Sequence, residues 1–198
     1  RNFGQESTDF SKTNVNAKNI ERIIESCKGL KEFKFAFISD TQRWYDETED
    51  VVKDINSRQD IKFVIHGGDI SDFGVTKEFL WQRDILERLN VPYVCCIGNH
   101  DCIGTGEDVF QKVFGNPNFA FTAGNIRFIC LNTVALEYDY SNPIPNFDFI
   151  ENEINSSDSN VEKTIFCIHC RPYDDQFNNN VAKAFEHYVL SCKHIQFC

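Results

Sequence analysis

Five short apolar runs each lead into a residue that can bind a metal or move a proton, and this recurrence limits the fold more than any single motif. Residues 34–39 end at Asp40. Residues 61–66 lead through Gly67-Gly68 to Asp69, and 91–97 lead through Gly98 to Asn99-His100-Asp101. Residues 126–131 end at Asn132, and 164–168 end at His169. Runs that stay apolar for most of their length have the pattern of strands covered on both faces. In open α/β sheets the ligand site forms at the carboxyl ends of the strands. The pattern therefore predicts one sheet edge that gathers Asp40, Asp69, Asn99, His100, Asp101 and His169.

The segments between the runs have helical spacing. Residues 14–27 place Val15, Ala17, Ile20, Ile23 and Ile24 at helical intervals before a C-cap at Gly29. A second helix, beyond Trp44-Tyr45, carries Asp46, Glu47, Glu49 and Asp50 in its first turns and Arg58 near its end, an order that suits the helix dipole. Its inward positions are Val51, Val52 and Ile55. Residues 76–89 form a third, burying Phe79, Leu80, Ile85 and Leu86 or Leu89. The first hundred residues thus read β-α-β-α-β, which requires parallel strands joined by crossover helices. A short helix over 107–114 follows, and then a hairpin of 119–122 and 126–131 across Ala123-Gly124-Asn125, which makes the second half mixed. A helix over 147–154, the strand ending at His169, a helix over 181–190 and a strand from His194 onward complete the order. Residues 1–32 are read as a lead-in and helix, and 33–198 as one domain.

Composition narrows the function. The 198 residues hold 30 acidic and 20 basic side chains, for a net charge of -10 and a pI near 4.9. That balance opposes a nonspecific grip on nucleic acid or anionic lipid, but not a small phosphorylated substrate, because bound cations reverse the field locally. No segment reaches the roughly 20 apolar residues of a membrane span. The nine cysteines are odd in number, and Cys95, Cys96, Cys130 and Cys167 fall inside apolar strands, where Cys acts as a small hydrophobe. Reduced thiols and a cytoplasmic setting are favoured on that ground. The start at Arg1 and the lack of Met leave export open, and nothing fixes the oligomeric state. Cys167-Ile168-His169-Cys170 looks like a zinc motif, yet residues 167 and 169 share one side of a strand and no second pair follows. The last strand stops at Cys198, so the parent protein is expected to continue and to deliver further polar residues there.

The candidate ligands are Asp40, Asp69, Asn99 and His169, with Gln42 in addition. Carboxylate, amide and imidazole donors without thiolate suit Mn, Fe or Zn. Two carboxylates on adjacent strands can hold two divalent ions. A pair roughly 3.5–4 Å apart clamps the attacking and leaving oxygens of a phosphoryl displacement and lowers the pKa of bound water from about 15.7 to about 7. Taken singly, Asp40 is a helix-entry cap, Asp69 a turn residue and Asp72 a loop holder. His66, His187 and His194 are read as structural or surface residues, and Cys102 as an inert small residue.

Asp40, Gly68-Asp69-Ile70-Ser71-Asp72, Gly98-Asn99-His100-Asp101 and His169, in this order and in strand-loop context over 33–198, resemble the calcineurin-like metallophosphoesterases. GDxxD and GNHD are specific as a pair. The resemblance implies a four-layer α/β/β/α sandwich with two mixed sheets, its C-terminal part missing here, and a dinuclear metal site. By position it implies Asp40 on the first metal, Asp69 bridging, Asn99 and His169 on the second, and His100 as general acid oriented by Asp101. Two departures stand out. Gln42 occupies a position where the family usually has His, and the family's terminal Gly-His-x-His lies beyond Cys198. Arg43, Arg171 and Tyr173 follow ligand positions on rim loops, where Arg suits phosphate and an aromatic suits stacking. The function expected is hydrolysis of phosphate monoesters or diesters. The alternative is a relative that has lost catalysis and serves as a binding or regulatory module.

Overall fold

The computed structural model describes residues 12–156 and 160–192, and the backbone of 195–197. The order is α1 (Val15–Cys27), β1 (Lys34–Ile38), α2 (Tyr45–Ser57), β2 (Ile61–His66), α3 (Thr76–Leu86), β3 (Tyr93–Cys95), α4 (Gly106–Val113), β4 (Phe119–Ala123), β5 (Ile126–Leu131), α5 (Phe147–Asn155), β6 (Lys163–Ile168), α6 (Ala182–Leu190) and β7 (Ile195–Phe197). Two sheets form, β1-β2-β3 and β4-β5-β6-β7. The first is parallel throughout its described strands, because each crossover is a helix, so the mixed sheet is the second, where the hairpin β4-β5 is antiparallel and β5-β6-β7 are parallel.

Alternation along the strands builds three apolar layers. Phe63, Ile65, Val94 and Cys96 face Phe121, Phe128, Cys130 and Ile165 between the sheets. The Phe63 ring stacks on Phe35 at 5.3 Å and meets Phe128 edge-on at 5.5 Å. Truncating so enclosed a ring to Ala costs about 3–5 kcal/mol. On the outer face of the first sheet, Val64 and Tyr93 pack against Val52 and Ile55 of α2, Phe79 and Leu86 of α3, and Phe110 of α4. Ile129, Leu131 and Phe166 pack against α5 and α6 on the outer face of the second. The result is the α/β/β/α sandwich.

Several details depart from the sequence expectation. Strand β1 is an edge strand and not covered on both faces, leaving Phe37 40% exposed. In α2 the inward row is Thr48, Val52 and Ile55, while Val51 turns outward, since an i, i+4, i+7 row cannot also include its neighbour. Both Leu86 and Leu89 are buried. Strand β3 is short, and its open edge is satisfied by a side chain: Asn16 of α1 accepts from the Cys95 N–H at 2.8 Å and donates to the Cys95 carbonyl at 2.9 Å. Cys167 and Cys170 fall in different apolar clusters. His194 and Cys198 lie outside the described residues.

Candidate metal centre

Parallel pairing puts the carboxyl ends of β1, β2 and β3 on one edge, and a bond between His169 and Gly67 brings the end of β6 to it. Each of the first two strands turns sharply at its ligand. Asp40 and Asp69 both have φ +58°, a left-handed conformation that Asp tolerates better than most residues but that still stores strain. The two turns are laced together: the Asp40 N–H donates to the Gly68 carbonyl at 3.0 Å and the Gln42 N–H to that of Asp69 at 3.1 Å. Gly68, at φ +110°, could carry no Cβ, which would lie 2.7 Å from His169 Nδ1. A Cβ on Gly98 would collide with Asp69.

Five side chains that can bind a metal converge here. His169 Nδ1 lies 3.0 Å from the Gly67 carbonyl, which can only accept, so Nδ1 carries the hydrogen. Nε2 faces Asn99 Oδ1 at 3.1 Å and Asp69 Oδ1 at 3.4 Å. Asp40, Asp69 and His169 each offer a ligand atom within 4.8 Å of the others. Gln42 Nε2 points to Asp69 Oδ2 at 3.5 Å, and its Oε1 is buried with no hydrogen-bond partner. Acceptors crowded in this way repel one another, and an unpartnered buried oxygen is costly. A divalent cation relieves both, so these residues fit a metal.

The general-acid candidate is held differently from the expectation. His100 Nδ1 donates to the Asp72 main-chain oxygen at 2.8 Å, and the Asp72 carboxylate is 3.6 Å from the same nitrogen. The bond to the Asp72 carbonyl, and then the charges of Asp69, Asp72 and Asp101, raise the imidazole above its ordinary value. Asp101 does not orient the imidazole. Its fully buried carboxylate accepts from the N–H of Ile70 (2.9 Å), Ser71 (2.7 Å) and Gly98 (2.9 Å) and from the Ser71 hydroxyl (3.0 Å), which staples the two motif loops together. Burial pushes its carboxyl up to about 6 against those donors. Asp72, expected to hold the loop through backbone bonds, instead sends its carboxylate to Arg43 at 2.5 Å. Burial also raises Asp69, which His169 and the His100 N–H oppose.

The edge thus gathers Asp40, Gln42, Asp69, Asn99, His100 and His169. Arg43 joins through Asp72. Arg171 and Tyr173 lie on the loop after β6, beside His169 in a groove. Trp44 is exposed, whereas Tyr45 packs edge-on to Trp81. Two contributors were read only as structure or not at all. His66 Nδ1 accepts from the Gly68 N–H at 3.2 Å, so its Nε2–H donates to Thr41 Oγ1 at 2.8 Å, joining the first two loops. Full burial lowers this imidazole to about 3, so it is neutral. The signal was its place at the end of an apolar run, directly before Gly67-Gly68-Asp69.

The profile of the calcineurin-like phosphoesterase family matches residues 33–195, most of the chain. This chain belongs to the calcineurin-like phosphoesterases. Members of the family act on phosphoesters with divalent metal ions, and the Asp40-Asp69-His169 cluster is where this one offers ligands. The uncharacterised protein YvnB of Bacillus subtilis is 30% identical over 101 residues, a stretch covering 44% of this chain and 8% of that protein. A purple acid phosphatase, PPD1, from yellow lupin seeds superposes with a TM-score of 0.51 at 17% identity, covering 68% of this chain and 30% of its own. The likeness to the lupin enzyme is one of fold. Among the described residues no helix is long and apolar enough to cross a membrane.

Proposed function

We propose that this phosphoesterase hydrolyses a small phosphate ester at a dinuclear centre of Mn, Fe or Zn. Asp40, Gln42 and Asp69 would hold one ion, and Asp69, Asn99 and His169 the other. Two such ions supply charge neutralisation at the phosphoryl oxygens and a water acidified toward neutral pH. The remaining work falls to the chain. With Nδ1 committed to Asp72, His100 has Nε2 left to give a proton to the departing oxygen, and the Asp72 carbonyl and the nearby carboxylates favour its protonated form. Asp101 holds the two loops in register and so positions Asp69 and His100. Arg43, exposed apart from its bond to Asp72, is in reach of a substrate oxygen by rotation of its long side chain, and Arg171 and Tyr173 would contact the substrate from the His169 side.

The observation that carries this reading is the convergence of Asp40, Asp69 and His169, each offering a ligand atom within 4.8 Å of the others, with Asn99 Oδ1 3.1 Å from His169 Nε2. The test is hydrolysis of activated phosphomonoesters and phosphodiesters by the full natural chain, with added manganese and after chelation. Chelator-sensitive turnover supports the hydrolase. A folded, metal-loaded protein without turnover on either class would favour the binding-module alternative.

A further inference from the structure

Beside His169 a groove of about 740 Å³ runs between the loop after β6 and α6. Its walls are apolar: Ile168, Pro172, the ring of Tyr173, Phe185, Val189 and Leu190, the last 76% exposed. Two charges sit on it. The Arg171 guanidinium has no ion-pair partner among the described residues, while Glu186 accepts from the Tyr173 hydroxyl at 3.1 Å, which fixes the ring as a wall. His169 belongs to both the groove and the metal cluster, so the two are continuous. His100, Asp72 and Arg43 do not line it.

That arrangement restricts what can lie there. The group that leaves phosphorus must be next to the acid, His100. A group in this groove touches His169 and not His100, and is therefore a second substituent on the same phosphorus. A monoester has no such substituent. We infer that the groove receives the non-leaving organic group of a phosphodiester, a neutral aromatic or otherwise apolar group, with Arg171 at the phosphoryl end. The carboxylate of Glu186 disfavours a second anion in the groove, and the apolar walls favour a ring or chain. The inference rests on the hydrolase reading above and narrows it to diesters.

The test holds the leaving group constant and varies only the other substituent: 4-nitrophenyl phosphate, methyl 4-nitrophenyl phosphate and phenyl 4-nitrophenyl phosphate, with the manganese-loaded full chain and with rates divided by the uncatalysed ones. The phenyl diester is expected to exceed the methyl diester in kcat/KM by about tenfold, the discrimination a hydrophobic pocket ordinarily gives, and both to exceed the monoester. In Leu190→Asp, at a position already in solvent, and in Tyr173→Asn, which tolerates the φ of +70° there, the phenyl-to-methyl ratio is expected to fall to about threefold or less. Equal rates on the two diesters, a preference for the monoester, or a ratio untouched by both substitutions would overturn the groove assignment while leaving the hydrolase intact. If no ester is turned over, the hydrolase reading fails and calorimetry decides the groove. Diphenyl phosphate binding more tightly than dimethyl phosphate, with the difference lost in Leu190→Asp, sustains it, and equal binding overturns it.

Discussion

His100 Nδ1 lies 2.8 Å from the main-chain oxygen of Asp72, so the imidazole is oriented by a backbone atom that no substitution of Asp72 removes. Nε2 is left free for the substrate. His100→Ala is expected to lower turnover by about 10²–10⁴ on an ester with a poor alkyl leaving group and far less on a 4-nitrophenyl ester, whose departing oxygen needs no proton. Rates across a series of leaving groups of graded acidity would read this directly, and an equal loss along the series would refute the acid role.

Asp101 is a structural staple. Asp101→Ala would leave the N–H groups of Ile70, Ser71 and Gly98 buried without an acceptor. At about 1–3 kcal/mol for each orphaned donor, a stability loss of about 3 kcal/mol or more follows. Urea denaturation of the metal-free protein measures it without reference to catalysis. Asp72→Ala, which removes a carboxylate whose partner Arg43 is mostly in solvent, is expected to change the midpoint little.

Metal should stabilise the fold, since ligands gathered in the native state are scattered in the unfolded one. At a hundredfold excess over Kd the gain is about 2.7 kcal/mol, visible as a rise in Tm with added manganese. Asp69→Ala should abolish that rise. Gln42→Ala should weaken binding more modestly, and Gln42→His, which substitutes a stronger donor beside Asp69, should strengthen it. A Tm rise that is the same in all four proteins would place the metal elsewhere.

The parallel run of the first three strands and the ligand edge were legible because each of those strands is a largely apolar run that leads to its ligand, and crossover helices leave such strands no choice but to be parallel. Position in the chain did not reveal which carboxylate serves which neighbour. Asp101 follows His100 directly, yet the 3₁₀ turn over His100–Cys102 sends its carboxylate back into the loops, and Asp72, thirty residues upstream of Cys102, supplies the oxygen that holds the imidazole. The outward turn of Val51 was also hidden, because two adjacent valines fit either face until α3 fixes the helix rotation. Main-chain partners such as the Gly67 carbonyl carry no sequence signal at all.

His66 makes the fold sensitive to acid. Its imidazole is fully buried, its Nδ1 already accepts the Gly68 N–H, and burial lowers it from 6.5 to about 3. An unfolded chain binds a proton at this residue below about 6.5, whereas the native chain does not until about 3. Between those values the unfolded state holds more protons, so stability is full above the window and falls as the pH drops through it, by about 1.4 kcal/mol per pH unit for this one group. Asp101, whose carboxyl burial pushes up to about 6, titrates in the same window with the opposite sign, so the His66 contribution is read as the difference in pH slope of the denaturation midpoints between the natural protein and a His66 variant over pH 6.5 to 5. His66→Asn retains an acceptor for Gly68 and a donor for Thr41, and should lower the slope by that amount relative to the natural protein. An identical slope in the two proteins would mean that His66 is protonated in the native state, and the assignment of its hydrogen to the Thr41 side would fail with it.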